Sequence, residues 1–112
     1  MRNWKNIVYK SNVLDDYVID NNGCVKNIIT GNICNPFEIK QKNGGRLLFV
    51  SLKIDAKFKN IPIHRIVAET FIPNPNHYKY VLFIDGDSHN IVVDNLVWSN
   101  HTYIGYEENR KK

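Results

Sequence analysis

Nowhere does this sequence stay apolar for the roughly 20 residues that a membrane-spanning helix requires. Its longer apolar stretches, such as Val81-Leu82-Phe83-Ile84, have the length of strands. Met1-Arg2-Asn3-Trp4-Lys5 leads into no signal-peptide core. The chain is therefore expected to work in the cytoplasm, with no membrane partner. Cysteine is nearly absent. Cys24 and Cys34 stand ten residues apart, without a CxxC or a matching His pair, which falls short of a structural zinc set. Free thiols on neighbouring strands are expected, with a disulfide as the alternative. Acid is scarce in one place: from Lys40 to Arg65 there are seven basic residues and a single acid, Asp55, so the remainder of the chain is net acidic. Such asymmetry suits a polyanion or an acidic protein surface, or else a face of lysines kept for solubility.

What is present is ordinary for a folded protein. Apolar residues make up 43% and charged residues 23%, which excludes wholesale disorder and leaves only the polar end, Glu107-Glu108-Asn109-Arg110-Lys111-Lys112, as a tail. At 112 residues the chain has material for one modest core. Tyr17 to Asp20 and Cys24 to Ile29 read as strands around Asn21-Asn22-Gly23, whose residues tolerate positive φ. Thr30-Gly31-Asn32 turns the chain again toward Ile33-Cys34. The loop Lys42-Asn43-Gly44-Gly45 precedes a strand from Arg46 to Ile54 with Leu48, Val50, Leu52 and Ile54 on one face. After Pro62 the period changes: Ile63, Ile66, Val67 and Phe71 predict a helix that Pro73 and Pro75 stop. A strand at Tyr80 to Ile84, a loop at Asp85 to Asn90 and a return strand at Ile91 to Val93 follow. Asp94 reads as the N-cap of a last helix starting at Asn95. This order predicts an α+β fold of small antiparallel hairpins followed by a helix.

Three groups of residues carry a family resemblance. Trp4-Lys5-x-Ile7, Tyr17-x-Ile19, Gly23-x-Val25-x-Asn27 and Thr30-Gly31 resemble the small β-rich module at the front of phage HNH homing endonucleases. His64 to Pro75 resembles the helix that follows it in those proteins. Ile84-Asp85-Gly86-Asp87, Asn90 and Asp94-Asn95-Leu96-x-Trp98 resemble their HNH, or ββα-metal, motif. Together they run through nearly the whole chain in the family's order. The resemblance implies a β-rich module over residues 1–60 and an HNH-like ββα unit over 61–112, within one compact domain.

The family's reaction is metal-assisted phosphodiester hydrolysis. An acidic or amide residue and then a histidine stand directly before the turn, binding a divalent cation and serving as general base. A middle asparagine orients that histidine, and a His or Asn about two helical turns on completes the metal site. A hard cation needs oxygen or nitrogen donors, and a base needs a lone pair. Carried across residue by residue, the metal-ligand place holds Leu82, the base place holds Phe83 and the last ligand falls at Ile104, with Asn100 and His101 within a turn of it; Asn95 retains the middle asparagine. Leu and Phe neither coordinate nor accept a proton. No catalytic residue, metal or cofactor is therefore expected. As apolar groups, Leu82, Phe83 and Ile104 are expected to fill the vacated space, at about 1 kcal/mol or more of stabilisation each, or to form an apolar patch for a protein partner.

His89 is the one candidate for a relocated base, because it shares a loop with Asp85 and Asp87; a working nickase using magnesium or manganese would depend on it. The string lacks the distal Glu of a calcium loop, and Asp in such places usually caps turns. His64 opens the helix, where the family typically has His, and its ring is expected to bond backbone near the hairpin. Trp4 and Trp98 are expected to cover the two ends of the core. The expected function is that of a catalytically inactive HNH-like, phage-type protein that binds nucleic acid or a nucleoprotein. Lys40, Lys42, Arg46, Lys53, Lys57, Lys59 and Arg65 would face the phosphates or the partner. The alternative is an inhibitor that docks on a host nucleic-acid-binding protein such as a defence nuclease, in the manner of anti-CRISPR proteins.

Overall fold

Among the described residues, alternating apolar residues and tight turns build three small antiparallel sheets around a single helix. The computed structural model describes residues 3–42 and 44–101. The first sheet holds β1 (Lys5–Tyr9), β2 (Asn12–Ile19), β3 (Val25–Asn27) and β4 (Ile33–Cys34) in sequence order. The second holds β5 (Phe37–Lys40), β6 (Arg46–Ile54) and β7 (Lys57–Pro62), with β6 central. Helix α1 (Ile63–Phe71) follows, and β8 (Tyr80–Phe83) pairs with β9 (Leu96–Ser99). The described residues are thus mostly strand, with one α-helix and a 3-10 turn at Val93–Asn95.

No one of these sheets can bury its apolar face alone, so all share a core. Ile7, Ile19 and Val25 come from the first sheet, Val50, Leu52 and Ile61 from the second, and Val81 and Leu96 from β8 and β9. Ile63, Ile66, Val67 and Ala68 of α1 are buried among them, at the apolar spacing expected of an amphipathic helix. Hydrogen bonds tie the sheets to one another and to α1. The Val8 N–H donates to the Thr70 hydroxyl at 2.9 Å, the Lys53 N–H to the Tyr17 hydroxyl at 3.0 Å, and the Trp98 indole N–H to the Ile72 carbonyl at 3.0 Å. Gly23 lets the β2–β3 turn meet the segment before β9: a Cβ there would lie 2.5 Å from Ile91 Cδ1, and φ is +86°. Beside it the Val93 N–H donates to the Asn21 carbonyl at 3.0 Å.

Two expectations are corrected. The return strand is β9 at Leu96–Ser99, not Ile91 to Val93, and it occupies the place given to the start of a helix at Asn95. Its residues pair with β8 from Tyr80↔Ser99 to Phe83↔Leu96, burying Leu96 and exposing Val97. A β-branched and aromatic run pairs well in this way. Asp94 lies in the 3-10 turn, with no side-chain cap at the turn's start. The strand read at Cys24 to Ile29 is also shorter. The Asn27 carboxamide accepts the N–H groups of Ile29 and Thr30 at 2.9 and 3.2 Å, which turns the chain early.

Candidate functional site

The loop after β8 is held from its centre. Gly86, at φ +78°, turns the chain, and its N–H donates to the Phe83 carbonyl at 3.0 Å. Asn95 is 7% exposed and uses its whole carboxamide here. Its Oδ1 accepts the Asp85 N–H at 3.0 Å, and its Nδ2 donates to Asp85 Oδ1 at 2.9 Å and to the Asn90 carbonyl at 2.8 Å. The Asn90 side chain donates to Asp85 Oδ2 at 2.9 Å, and the Asp87 N–H to Asp85 Oδ1 at 2.8 Å. These bonds, with Asn90's contribution the largest, hold the exposed Asp85 carboxyl below its usual range. Asp87 closes the next turn by accepting the His89 N–H at 3.0 Å. The two aspartates therefore act as turn caps, and Asn95 acts as the loop's keystone.

Leu82 and Phe83, adjacent on β8, point to opposite faces of the strand. Phe83 is half-buried against the core, its ring 4.9 Å from that of His64. Leu82 is half-buried opposite the exposed Val97. Both border a groove of about 980 Å³ whose other walls include Arg46, Leu47, His64 and Ile84. The expected plug of apolar side chains is thus only partly made: Phe83 packs inward while a groove remains beside Leu82. Ile104 lies outside the described residues.

His64 departs from its expected role. Its Nδ1 is buried with no hydrogen-bond partner among the described residues, and the ring lies beside the phenyl ring of Phe83, which offers no lone pair. Burial pushes the imidazole down to about 4, with the charge of Arg65 adding to the effect. The ring is therefore neutral near pH 7.

His89 is drawn to a residue that the sequence reading did not single out. Its Nε2 meets the Glu38 carboxylate of β5, which also lies 3.7 Å from Arg46. Ser88 donates to the Arg46 carbonyl at 2.6 Å, so this pair of contacts fastens the loop to the second sheet. Glu38 and His89 are 51 positions apart in the sequence, and no local pattern joins them.

The basic residues divide into groups. Lys40 and Arg46 pair across β5 and β6, with Lys42 in the loop between. Lys53, Lys57 and Lys59 gather at the β6–β7 end, all exposed. At about 3.4 Å per residue the two ends of β6 lie roughly 27 Å apart. Arg65 is committed elsewhere: it donates to the Lys79 carbonyl at 2.6 Å, lies 3.7 Å from Glu69 and stacks 5.2 Å from the Trp98 ring centre. Cys24 and Cys34 are free thiols, and burial pushes that of Cys34 up.

With this geometry established, two known proteins prove similar. The uncharacterized HNH endonuclease L245 of Acanthamoeba polyphaga mimivirus is 47% identical over 51 residues, which cover 46% of this chain and 16% of that protein. The HNH homing endonuclease I-HmuI, solved in a study of its DNA binding and cleavage, matches over 97% of this chain and 56% of its own, at 25% identity and a TM-score of 0.69. The chain is related to the HNH endonucleases. The strand-rich architecture of its described residues, with one α-helix, matches an HNH-like fold. It spans only part of each HNH relative, 16% of the mimivirus protein and 56% of I-HmuI. No protein-family model matches it. No helix among the described residues is long and apolar enough to cross a membrane.

Proposed function

We propose that this chain is a catalytically inactive HNH-like protein that binds nucleic acid. One observation carries the reading: Leu82 and Phe83 stand directly before a loop that remains tightly held by Asn95. The loop keeps its architecture while the two positions ahead of it have no donor atoms. A divalent cation of the kind the family uses finds no ligand in those two side chains, so the residues do not fit the metal. Nor does either side chain supply a base. In this reading residues 1–60 form the β-rich module, residues 61–112 the HNH-like unit with β8 and β9 as its strands, and the lysines of β6 and β7 meet phosphates. The relationship to I-HmuI, whose structure concerns DNA binding, supports the choice of partner.

Plasmid nicking with magnesium or manganese tests it. The chain is expected to leave supercoiled DNA intact, and Leu82→Asp, Phe83→His and Ile104→Asn together are expected to restore metal-dependent nicking. Nicking by the unaltered chain that disappears in His89→Ala would overturn the reading in favour of a relocated site. The contact of His89 with Glu38, which uses its Nε2 for fastening the loop, supports the structural role.

A second reading draws on the groove beside Leu82. Its apolar wall, with Ile84 54% and Tyr80 37% exposed, suits a protein partner, such as a host defence nuclease that this chain inhibits. Recovery from host lysate after nuclease treatment separates the two readings. One stoichiometric protein partner that survives the treatment supports inhibition, whereas DNA-dependent recovery supports nucleic-acid binding.

A further inference from the structure

Helix α1 borders two grooves. His64 lines the one beside Leu82, while Arg65, Glu69 and Ile72, at i, i+4 and i+7, line a separate groove of about 690 Å³. Its other walls include the β1–β2 turn, the loop after α1 and Trp98 of β9. Each wall is locked separately. The Trp98 indole N–H donates to the Ile72 carbonyl at 3.0 Å, and the Arg65 guanidinium lies 5.2 Å from its ring centre, held by the Lys79 carbonyl and Glu69. The Asn74 carboxamide closes the loop by donating to the Tyr78 carbonyl and accepting the Tyr78 N–H, each at 2.9 Å. At the rim, Lys10, Ser11 and His77 have φ of +50°, +66° and +54°. Left-handed backbone favours glycine or asparagine, and a two-residue hairpin turn usually takes Asn-Gly. These three residues therefore place side chains at the rim against the backbone preference. A turn with only a structural duty has no such need.

We infer that this groove holds an unpaired nucleotide of a single strand of nucleic acid. Its base stacks against Tyr78 and the Arg65 guanidinium, which Trp98 backs, and its phosphates meet Lys10 and His77 at the rim. The inference rests on the nucleic-acid reading above and adds to it a site for an unpaired strand. The groove has the volume of a small-ligand site and is too small to admit a duplex. Unpaired bases are recognised by stacking on aromatic rings and on guanidinium planes, with cations along the backbone. Both kinds of group are present: Tyr78 is 37% exposed, and the Lys10 ammonium lies 5.3 Å from the ring centre of Tyr9, another lining residue. Among the described residues that line the groove, Glu69 is the one acid, and Arg65 lies beside it. The groove therefore favours an anion. An acidic peptide would use the cations and leave the aromatic faces idle, and an apolar peptide the reverse. A nucleotide uses both.

Titration of the full chain with a short labelled oligothymidylate, followed by anisotropy and by tryptophan fluorescence, tests the inference. Trp4→Phe leaves Trp98 as the one tryptophan. The strand is expected to bind and to quench Trp98 in that variant. Tyr78→Ala should weaken the strand by about tenfold and leave duplex binding unchanged. Lys10→Gln should lower the slope of log affinity against log salt by about 0.7. Both side chains are exposed, and urea midpoints check that the variants stay folded. Full affinity for the strand in both variants would overturn the groove as its place. Retention of duplex alone would overturn the unpaired strand as occupant and leave nucleic-acid binding standing. Thymidine monophosphate binding as tightly as the strand would overturn the strand in favour of a free nucleotide. No retention of any nucleic acid would overturn both readings.

Discussion

On the β6–β7 hairpin Asn60 stands in solvent, whereas on the β8–β9 hairpin Asn95 is buried and uses its carboxamide on Asp85 and Asn90. The same residue type is left available in one hairpin and consumed by structure in the other. The contrast extends to neighbours. Lysines and an exposed phenyl ring border Asn60, while the strand before the Asn95 loop carries Leu82 and Phe83. In the loop of the second hairpin the side chains of Asp85, Asn90 and Asn95 are bonded to one another and to the backbone, and His89 meets Glu38. What can still meet a ligand through charge and hydrogen bonds lies mainly on the first.

Matched substitutions should break this comparison at its strongest point. Asn95→Ala leaves the Asp85 N–H and the Asn90 carbonyl without their partner, and is expected to cost about 3 kcal/mol of stability. Asn60→Ala removes an exposed amide and should change stability by less than about 0.5 kcal/mol. Urea denaturation followed by tryptophan fluorescence compares them. Equal losses would show that Asn95 is not the keystone of its loop.

Acid should distinguish the hairpins next. Every titratable side chain of β6–β7 and its turn is exposed, whereas β8 packs against the half-buried His64, whose Nδ1 is shut off from solvent. Burial holds His64 at about 4 in the fold against 6.5 for a free histidine. Above 6.5 neither state binds the proton. Between 6.5 and 4 the unfolded chain takes it up and the folded chain does not, so stability falls as pH drops through that window. The loss across the window is about 3 kcal/mol. Asp85, depressed by its hydrogen bonds, adds a loss in the same direction at lower pH. Urea midpoints at neutral and acid pH check this, with His64→Gln expected to flatten the upper part of the decline. An unchanged decline in that variant would assign the effect to other groups.

Much of this fold could be read from short-range pattern. The alternation from Leu48 to Ile54, the helix between Pro62 and Pro73, and the Asn21-Asn22-Gly23 turn each carry a local steric signature that the structure follows. β9 was misread because Asp94 resembles an N-cap and Leu96-Val97-Trp98 is too short to show a period. The pairing of β6 with β7 was not visible because its turn, Asp55-Ala56, contains no glycine; nor does Lys10-Ser11 between β1 and β2. At the candidate site, the Asp85-Gly86 turn and the apolar pair before it were legible. The Glu38–His89 contact and the stranded Nδ1 of His64 were not, since both depend on segments distant in sequence coming together.

Those turns supply the smallest and cleanest test of the comparison. Both hairpins need a residue at positive φ: Gly86 meets the need at +78° in the β8–β9 loop, and Ala56 meets it at +66° in the β6–β7 turn. A Cβ at Gly86 would find nothing within 4 Å, so Gly86→Ala is a backbone effect alone. Left-handed backbone costs an L-residue about 1 kcal/mol or more, partly offset because alanine restricts the unfolded chain. Gly86→Ala is therefore expected to destabilise by about 0.5–1 kcal/mol, and Ala56→Gly to stabilise by a similar amount. Thermal denaturation of the two variants reads the signs directly. If Ala56→Gly destabilises instead, the methyl group of Ala56 is making contacts worth more than its backbone strain. The β6–β7 tip would then be a packed element and not the open end of a ribbon.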